Sequence, residues 1–442
     1  MKRTLIKELP TKISQEVLVK GFLHSQRTLG KISFLILRDR TGICQITIEN
    51  PKTIKQISKL HHGTTLEIKG EVIKTEKTEL GIELIKPEIK VLNAVLEAMP
   101  IEITKPQLEL HIDTDLDYRS LTLRHQKYIA IFKIQSVLAQ AYREFLISQG
   151  FTEFFGPAMT SASSEGGTEV FKLNYFDGQA TLAQSNQLYK QIMVGAYERV
   201  FGMAKWFRAE NSNTRRHLTE GYQYEFEMGF IESFHEVMDM LEAVVRYMIK
   251  TISKKCQTEL KILGTKLPMM PKEKFPRIEF SEVKKILSKL VSEETSPWKD
   301  MTTEGERELC KYTREKYGSD FVFITNFEKG VFYAYKNEQG VYQNFDLLCR
   351  EAEIVSGGQR VHDYQQMIVA LKEANLKPED FSEYLAIFKH GMPPHGGFGM
   401  GLERSTMLFL GLENIREATI FPSDPKRVAG KSIHKSNICD NL

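Results

Sequence analysis

The sequence predicts an α+β protein, with a small β-barrel ahead of a larger domain of antiparallel sheet and helices. Residues 16–95 consist of short β-branched runs separated by turn-forming Gly, Asp and Lys. Beyond residue 127, amphipathic helical segments mix with paired strand segments, without the regular strand–helix alternation of a parallel sheet. We therefore expect a barrel domain over residues 1–97, a linker over 98–126 and the larger domain over 127–442.

The barrel is predicted from five strand segments and one helix. The strands are "EVLVKGFLHSQ", "ISFLILRD", "GICQITIE", "TTLEIKGEVIKT" and "GIELIKPEIKVLN", and the short helix "PKTIKQISKL" stands between the third and the fourth. This order is typical of a closed barrel of the oligonucleotide-binding (OB) kind. A stretch punctuated by proline, "AMPIEITKPQLELHIDTDLDYRSL", indicates the linker. The long helix that follows, over 127–150, ends at Gly150.

Composition excludes several classes of protein. The chain has 442 residues, 41% of them hydrophobic, and a net charge of only +3, which is ordinary for a globular protein. No apolar run approaches the roughly 18 residues of a membrane span, and the N-terminus lacks the apolar core of a signal peptide. The five cysteines are scattered and include no CxxC pair, which argues against a disulfide scaffold or a zinc site. We expect a cytoplasmic protein with no membrane partner.

The segment "WFRAENSNTRRHLTEGYQYEFEMGF" (206–230) predicts a hairpin whose loop carries Arg215, Arg216 and His217. Arg208 and Glu210 share one face of its first strand. Guanidinium groups bind phosphate oxygens in pairs, so the hairpin could hold a polyphosphate. The usual nucleotide-binding signatures are absent from the sequence. Taken alone, the segment is more typical of an exposed hairpin with solvated charges.

The segment "NFDLLCREAEIVSGGQRVHDY" (344–364) combines hard oxygen ligands with a cation. Asp346 and Glu353 frame an apolar strand and Ser356 follows, a set of groups suited to Mg²⁺. Arg360 could bind a substrate carboxylate. Surface acids remain the simple alternative for this segment.

The segment "GMPPHGGFGMGLER" (391–404) places glycines directly before an apolar helix. The glycines at 396, 397, 399 and 401 predict a bare strand against which a flat ligand can lie. Arg404 would project from the helix start, where the helix dipole also favours anions. A glycine-rich turn with a surface arginine is the alternative.

Together these segments resemble the signature motifs of class II aminoacyl-tRNA synthetases, over nearly the whole chain. "FRAE…TRRHL…EFEM" resembles motif 2, "GMGLER" resembles motif 3, and "GFTEFFGPAMT", with Pro157, resembles the dimer-forming motif 1. The N-terminal barrel, "QSNQLYKQ" and "SGGQRVHDY" are similar to the aspartyl enzymes of the compact archaeal and eukaryotic type. The resemblance implies a homodimer that activates L-aspartate with ATP and Mg²⁺ and transfers it to tRNA(Asp).

The resemblance also implies roles for individual residues, with Arg208 and Arg404 as the catalytic pair. Lys190 distinguishes the aspartyl from the asparaginyl enzymes, which generally lack a lysine there. The aspartate contacts would be Glu165, Gln187, Lys190, Arg208, Ser356 and Arg360. The ATP contacts would be Arg208, Glu210, Arg216, His217, Leu218, Glu353, Gly401 and Arg404. The Mg²⁺ ligands would be Asp346, Glu353 and Ser356.

In the barrel, Arg27, Phe34 and Gln45 match positions that read anticodon bases in this family, by stacking and amide hydrogen bonds. Discrimination between tRNA(Asp) and tRNA(Asn) depends on the third anticodon base, for which His24 and Glu79 are the candidate contacts. Neither residue resembles a strict gate, so we expect a relaxed enzyme that also accepts tRNA(Asn).

The chain departs from the family pattern at three positions. Gly221 stands where an aromatic residue commonly stacks under adenine, Asn186 replaces a proline, and Ser423 replaces an arginine. Three alternatives remain open at the level of sequence: an asparaginyl enzyme, an inactive tRNA-binding paralogue, and an ATP-dependent amidating enzyme. Lys190 argues against the first, the presence of Arg208, Glu353 and Arg404 against the second, and the barrel against the third.

Overall fold

The structure is a computed structural model that describes residues 1–161 and 169–433. It divides the chain into two compact units, Met1–Glu109 and Leu110–Leu442. The linker expected over 98–126 is therefore shared between the units. Residues 110–126 belong to the second unit because they pack there: buried Arg119 donates from Nε to the Ile420 carbonyl (2.8 Å) and from Nη2 to the Arg416 carbonyl (2.9 Å).

The first unit is the predicted five-stranded barrel. It closes in the order β1-β2-β3-β5-β4. Strand residues alternate between core and surface, so that Leu35 and Leu37 are fully buried while Phe34 lies on the outer face. Asn50 caps the short helix by accepting a hydrogen bond from the Lys52 N–H. The elements are β1 (Glu16–Leu29), β2 (Ile32–Arg38), β3 (Ile43–Ile48), α1 (Pro51–Ile57), β4 (Thr65–Lys74) and β5 (Ile82–Asn93).

The second unit begins with three helices and continues with groups of strands and helices in irregular order. Short 3₁₀ turns at Pro378–Phe381 and Ile415–Ala418 complete it. Its helices are α2 (Ile112–Asp117), α3 (Arg119–Thr122), α4 (Gln126–Ser148), α5 (Gln187–Tyr197), α6 (Phe234–Lys255), α7 (Gln257–Leu263), α8 (Phe280–Leu287), α9 (Thr303–Tyr317), α10 (Tyr364–Glu373), α11 (Ser382–Lys389) and α12 (Leu402–Leu410). Its strands are β6 (Thr152–Glu153), β7 (Met159–Thr160), β8 (Lys172–Tyr175), β9 (Gly178–Leu182), β10 (Arg199–Phe207), β11 (Glu220–Gly229), β12 (Arg277–Glu279), β13 (Phe321–Thr325), β14 (Asn344–Cys349), β15 (Ala352–Gln359), β16 (His395–Gly401), β17 (Arg427–Val428) and β18 (Lys431–Ser432).

An eight-stranded sheet in the order β12-β13-β14-β15-β16-β11-β10-β6 organises the second unit. Its central pairs are antiparallel, and the parallel pairs β12–β13 and β6–β10 lie at its edges. Helices α4 and α6 pack against each other, and α6 packs on β15 and β16. The predicted α+β class is confirmed. No helix among the described residues combines the length and the apolar character needed to cross a membrane.

The glycines of β16 are required for a reason other than the one predicted. A Cβ atom at Gly397 would overlap the Glu227 carboxylate, and one at Gly399 would overlap the Gln223 amide, both on the neighbouring β11. These glycines therefore make room for protein side chains. Gly399 also lines the cavity described below, so the prediction of a strand left bare for a ligand is wrong at Gly397 and stays a prediction at Gly399. At Gly401 the nearest atom to an added Cβ, Arg404 Cβ, is 3.5 Å away.

Candidate functional site

A cavity of about 410 Å³ lies against the central strands of the large sheet, within the size range of small-molecule sites. The β10–β11 hairpin, the β14–β15 hairpin and the junction of β16 with α12 contribute side chains to its wall. These are the three segments whose sequences predicted sites for phosphate, Mg²⁺ and substrate. Strand β16 pairs with both β11 and β15, and this pairing brings the segments together.

One part of the wall is strongly basic. Arg208, Arg216, His217 and Arg404 all line the cavity. Strand β10 ends at Phe207, so Arg208 opens the loop instead of sitting on the strand as predicted. Burial lowers the pKa of His217, and the nearby positive charges of Arg404, Arg216 and Arg208 lower it further. Three guanidinium groups beside this neutral imidazole give the wall a positive potential, which is suited to binding a polyphosphate.

Two arginines of this basic wall are held by neighbours from distant segments. Arg216 donates from Nη1 to Glu306 Oε2 (2.5 Å) and from Nη2 to Thr303 Oγ1 (2.7 Å), both in the first turn of α9. Arg404 donates from Nη1 to the Glu353 carbonyl (3.3 Å). The sequence analysis did not identify the α9 contacts, because nothing local links an acidic helix start to a loop about 90 residues earlier.

An acidic pair faces the same cavity. Asp346 on β14 is the register partner of Ser356 on β15, and Glu353 lies on the same strand as Ser356. The two carboxylates thus occupy neighbouring strands, whereas the sequence suggested that they frame one. Burial raises the pKa of Asp346 well above its usual range, and the charge of Glu353 raises it further, while a hydrogen bond with Ser356 acts in the opposite direction. Two facing carboxylates and a hydroxyl fit a hard divalent cation such as Mg²⁺.

The polar end of the cavity is formed by Arg360. Its Nε donates to Glu227 Oε1 (2.9 Å) and its Nη2 to the Gly397 carbonyl (2.8 Å). Its Nη1 takes part in none of the hydrogen bonds among the described residues. Gln187, also on the wall, has a buried Nε2 without a hydrogen-bond partner among those residues. Buried donors left in this way indicate where a ligand's acceptors can bind.

Lys190 does not line the cavity, contrary to prediction. Its side chain is 1% exposed, and Nζ donates to Glu225 Oε2 (2.9 Å) and to the Phe398 carbonyl (2.9 Å), with Glu227 Oε2 3.4 Å away. The physical reason is charge balance: β11 buries two carboxylates, Glu225 and Glu227, and each needs a cation. Burial acts to raise the pKa of Glu227, but Arg360 and Lys190 outweigh it and hold that pKa below its usual value.

The departure at Asn186 has a local explanation. The Asn186 N–H donates to Glu225 Oε1 (3.2 Å), a bond that a proline could not make. Glu225 thus has two partners from the start of α5, the Asn186 amide and the Lys190 ammonium.

The remaining predicted contacts divide into two groups. Glu165, expected at the substrate ammonium, lies outside the described residues. The others line the cavity: Glu210, Leu218 and Gly401. Wall residues that the sequence analysis missed include Trp206, Gln223 and Glu403. The strand alternation of β10 and β11 could have indicated the first two, since they lie on one face of this strand pair.

On the barrel, Phe34 lies on the outer face beside Arg27, whose guanidinium carbon is 5.2 Å from the ring centroid. Gln45 lies on the same outer face of β3, and its Nε2 donates to Glu83 Oε2 (3.0 Å). A surface phenylalanine beside an arginine and an oriented amide is suited to unstacked bases. The sequence analysis did not identify Glu83.

The two residues predicted to face the third anticodon base lie in different settings. His24 is half-buried in β1, within a β-bulge between Leu23 and Ser25. Glu79 is exposed in the turn between β4 and β5.

Comparison with known families matches both units. Residues 111–425 match the family described as tRNA synthetases class II (D, K and N). Residues 17–92 match the OB-fold nucleic acid binding domain, which confirms the predicted barrel type.

Individual proteins are similar along nearly the full chain. The aspartate–tRNA(Asp/Asn) ligase of Thermus thermophilus is 41% identical over 428 residues, which cover 96% of this chain and 99% of that protein. The aspartate–tRNA(Asp) ligase of Pyrococcus furiosus is 42% identical, covering 94% and 96%. The crystal structure of asparaginyl-tRNA synthetase from Pyrococcus horikoshii complexed with asparaginyl-adenylate has a TM-score of 0.88 at 31% identity, covering 97% and 99%.

Proposed function

The chain belongs to the family of class II tRNA synthetases (D, K and N), and on this premise we propose that it is an aspartate–tRNA ligase. It activates L-aspartate with ATP and transfers it to tRNA(Asp), with a relaxed specificity that extends to tRNA(Asn). The observation that carries the proposal is the content of one cavity: an arginine cluster, a carboxylate pair and Arg360 with an unused Nη1 line the same wall.

The reaction that this wall supports is adenylate formation. An α-carboxylate oxygen of aspartate bonds to the α-phosphorus of ATP, and the bond from that phosphorus to the bridging oxygen breaks, so that pyrophosphate leaves with the electron pair. The cavity wall needs to supply no protein nucleophile, because the work is positioning and charge stabilisation. Arg208 neutralises the α-phosphate, and Arg404 with the 208–219 loop holds the β- and γ-phosphates.

Asp346, Glu353 and Ser356 would hold Mg²⁺, which neutralises phosphate charge when bound. Because the pKa of Asp346 is raised by burial and by Glu353, a cation beside it relieves the repulsion between the two carboxylates. Arg360 Nη1 and Gln187 Nε2 are assigned to the amino acid.

Transfer follows at the same cavity. The terminal 3′-hydroxyl of the tRNA attacks the carbonyl of aspartyl-adenylate, and AMP leaves. The barrel binds the anticodon loop through Phe34 and Gln45. The barrel strands that carry these residues, β2 and β3, are neighbours, so both side chains meet the loop on one surface.

The homodimer and the cellular location are proposed from features outside the cavity. We assign the homodimer contact to the segment around Pro157, where Phe155 is 82% exposed. Sedimentation of the purified chain at a monomer mass would contradict this assignment. The four described cysteines are free and buried, which supports a reducing, cytoplasmic location.

A second candidate, asparagine–tRNA ligase, is favoured by one observation. Lys190 and Arg360 both have carboxylate partners, Glu225 and Glu227, so the buried charges at the polar end are balanced without a substrate anion. The site therefore has no uncompensated positive charge that would reject a neutral side chain. The unused Nη1 of Arg360 favours a carboxylate and leaves aspartate as the first candidate.

The test is ATP–pyrophosphate exchange with aspartate and asparagine measured side by side. We expect Mg²⁺-dependent exchange with aspartate at a kcat/KM that exceeds the value for asparagine by up to about 10⁴-fold. Equal activity with both amino acids would contradict the aspartate assignment, and no exchange with either would indicate an inactive paralogue.

A further inference from the structure

The cavity has an aromatic wall that the sequence analysis did not identify. Trp206 lies on β10 two residues before Arg208, and both side chains line the cavity. Its indole lines the cavity and is half-buried, and the Arg208 guanidinium carbon lies 5.5 Å from the ring centroid. A flat ring thus borders directly on the phosphate-binding cluster.

The indole occupies the place that a side chain at residue 221 would take. Gly221 on β11 is the register partner of Trp206. A Cβ atom added to Gly221 would lie 2.7 Å from Trp206 Cζ2 and 2.8 Å from Glu403 Oε2. Cross-strand partners share one face of a sheet, so a ring on either residue would face the same part of the cavity. The indole of Trp206 therefore fills the space that a side chain at residue 221 would otherwise occupy.

The other large rings on the described wall are engaged elsewhere. Phe327 is 5% exposed and stacks on Phe280 at a centroid distance of 4.9 Å. Tyr333 is 7% exposed and packs between Arg360 and Phe332. Both belong to the core beneath the wall. Trp206, by contrast, is only half-buried and lies beside the arginine cluster.

We propose that the adenine base of ATP stacks on the indole of Trp206, and that this ring, supplied by β10, replaces the aromatic side chain missing at Gly221. The proposal rests on the proposed use of ATP and assigns the base end of that substrate. Stacking of a purine on an aromatic face needs only the planar ring and a position that leaves the phosphates within reach of Arg208.

Fluorescence isolates this contact, because the chain contains only two tryptophans, Trp206 and Trp298. Trp298 packs against Gly305 and is not part of the cavity wall. The Trp298→Phe variant therefore reports on Trp206, and the Trp206→Phe variant is the matched control that keeps Trp298. Each full-length variant is titrated with ATP and with inorganic tripolyphosphate, both in the presence of Mg²⁺.

We expect saturable quenching by ATP in Trp298→Phe, little change with tripolyphosphate, and little change with either in Trp206→Phe. Equal quenching by tripolyphosphate would mean that the signal comes from phosphates near Arg208 and would overturn the stacking. Unchanged Trp206 emission at ATP concentrations that support exchange would also overturn it.

Kinetics supply the second measurement. Trp206→Ala should raise the KM for ATP in the exchange reaction by roughly 10-fold or more, with the KM for aspartate within about twofold of wild type, and Trp206→Phe should recover most of the loss. A wild-type KM for ATP in folded Trp206→Ala would sink the stacking and leave the ligase assignment intact. Should wild-type protein show no exchange, the ligase assignment fails, and the fluorescence titration still decides the stacking. If Trp206→Ala does not fold, Trp206→Phe and the titration carry the test.

Discussion

At the scale of single residues, Arg208 and Arg404 line one cavity although they come from segments far apart in the chain. The sequence around each residue does not show that the two meet. Arg208 is placed by the end of β10 and by its N–H bond to the Thr219 carbonyl (2.9 Å), and Arg404 by the first turn of α12. The other arginines of the 208–219 loop differ in exposure: Arg216 is half-buried against α9, whereas Arg215 is exposed and does not line the cavity.

This difference provides a matched control for catalysis. Arg208→Ala and Arg404→Ala should each lower the rate of aspartate-dependent exchange by roughly 10²-fold or more, the effect of removing one preorganised charge-stabilising donor. Arg215→Ala, in the same loop, should retain the wild-type rate. Near wild-type exchange in a folded Arg208 or Arg404 variant would refute the role assigned to that residue.

Glu403 gives a pH-dependent prediction at the same scale. Burial raises the pKa of Glu403 from about 4.5 to about 7, although its carboxylate accepts the Tyr222 N–H. Between these two pH values the folded chain holds a proton that the unfolded chain releases. The stabilisation is therefore fully present below about pH 4.5 and is lost as the pH rises through about 7.

Glu403→Gln removes this titration while keeping an acceptor for the Tyr222 N–H. Relative to wild type, the variant should gain roughly 2 to 3 kcal/mol in free energy of unfolding between pH 5 and pH 8, as measured by urea denaturation. Glu413→Gln, at an exposed glutamate after α12, is the matched control. A difference between Glu403→Gln and wild type that stays constant over this pH range would contradict the prediction.

At the scale of elements, helix α5 and strand β11 are joined by buried charge. Lys190 from α5 and Arg360, which follows β15, neutralise Glu225 and Glu227 of β11, and both glutamates have no exposed surface. The hydrophobic pattern of α5 predicts which of its faces is buried, but not that a lysine on that face meets a carboxylate. The expectation that Lys190 faces the substrate came from the family resemblance, which does not show this pairing.

The role of this ion pair can be separated from amino-acid selection. Lys190→Met should destabilise the second unit by about 3–5 kcal/mol, because it leaves Glu225 as a buried charge with one partner fewer. Adding Glu225→Gln should restore much of the loss, and urea denaturation of both variants measures the coupling. If Lys190→Met is as stable as wild type, the structural role is wrong. Aspartate and asparagine exchange in the stable double variant then tests directly whether Lys190 selects the substrate.

At the scale of the whole molecule, we propose that the barrel sets the range of tRNA substrates and that the second unit carries out the chemistry. Relatives named for tRNA(Asp) alone and for both tRNA(Asp) and tRNA(Asn) are about equally similar to this chain, at 42% and 41% identity. Overall sequence identity therefore does not distinguish the two specificities, and the prediction for this choice rests on particular barrel residues.

We expect the enzyme to charge transcripts of both tRNA(Asp) and tRNA(Asn) with aspartate. Exposed Glu79 repels phosphate instead of clamping it, and His24 can donate or accept a hydrogen bond, so neither excludes the alternative third base. The measurement is kcat/KM for both transcripts at one stated salt concentration. A preference for tRNA(Asp) above about 100-fold, or about 2.7 kcal/mol, would rule out the relaxed specificity and leave aspartyl-tRNA synthesis intact.

The sequence by itself determined the strands of the barrel and many of the charged groups of the cavity wall. Two-residue alternation in "ISFLILRD" predicts both the buried Leu35 and Leu37 and the outward Phe34, because successive strand residues face opposite sides. The motif segments likewise identified Arg208 and Arg404, because together they resemble the signature motifs of one family, although each segment alone also fits a surface arginine.

Only the tertiary structure decided which groups meet across elements. Periodicity states which face of a strand or helix is buried, but the partner on that face depends on strand register and helix packing between distant segments. Lys190 therefore pairs with Glu225 instead of lining the cavity, and Gly397 makes room for the Glu227 carboxylate instead of a ligand. Trp206 covers Gly221 for the same reason: the register of β10 with β11 sets the two residues opposite each other, and nothing in either segment alone encodes that register.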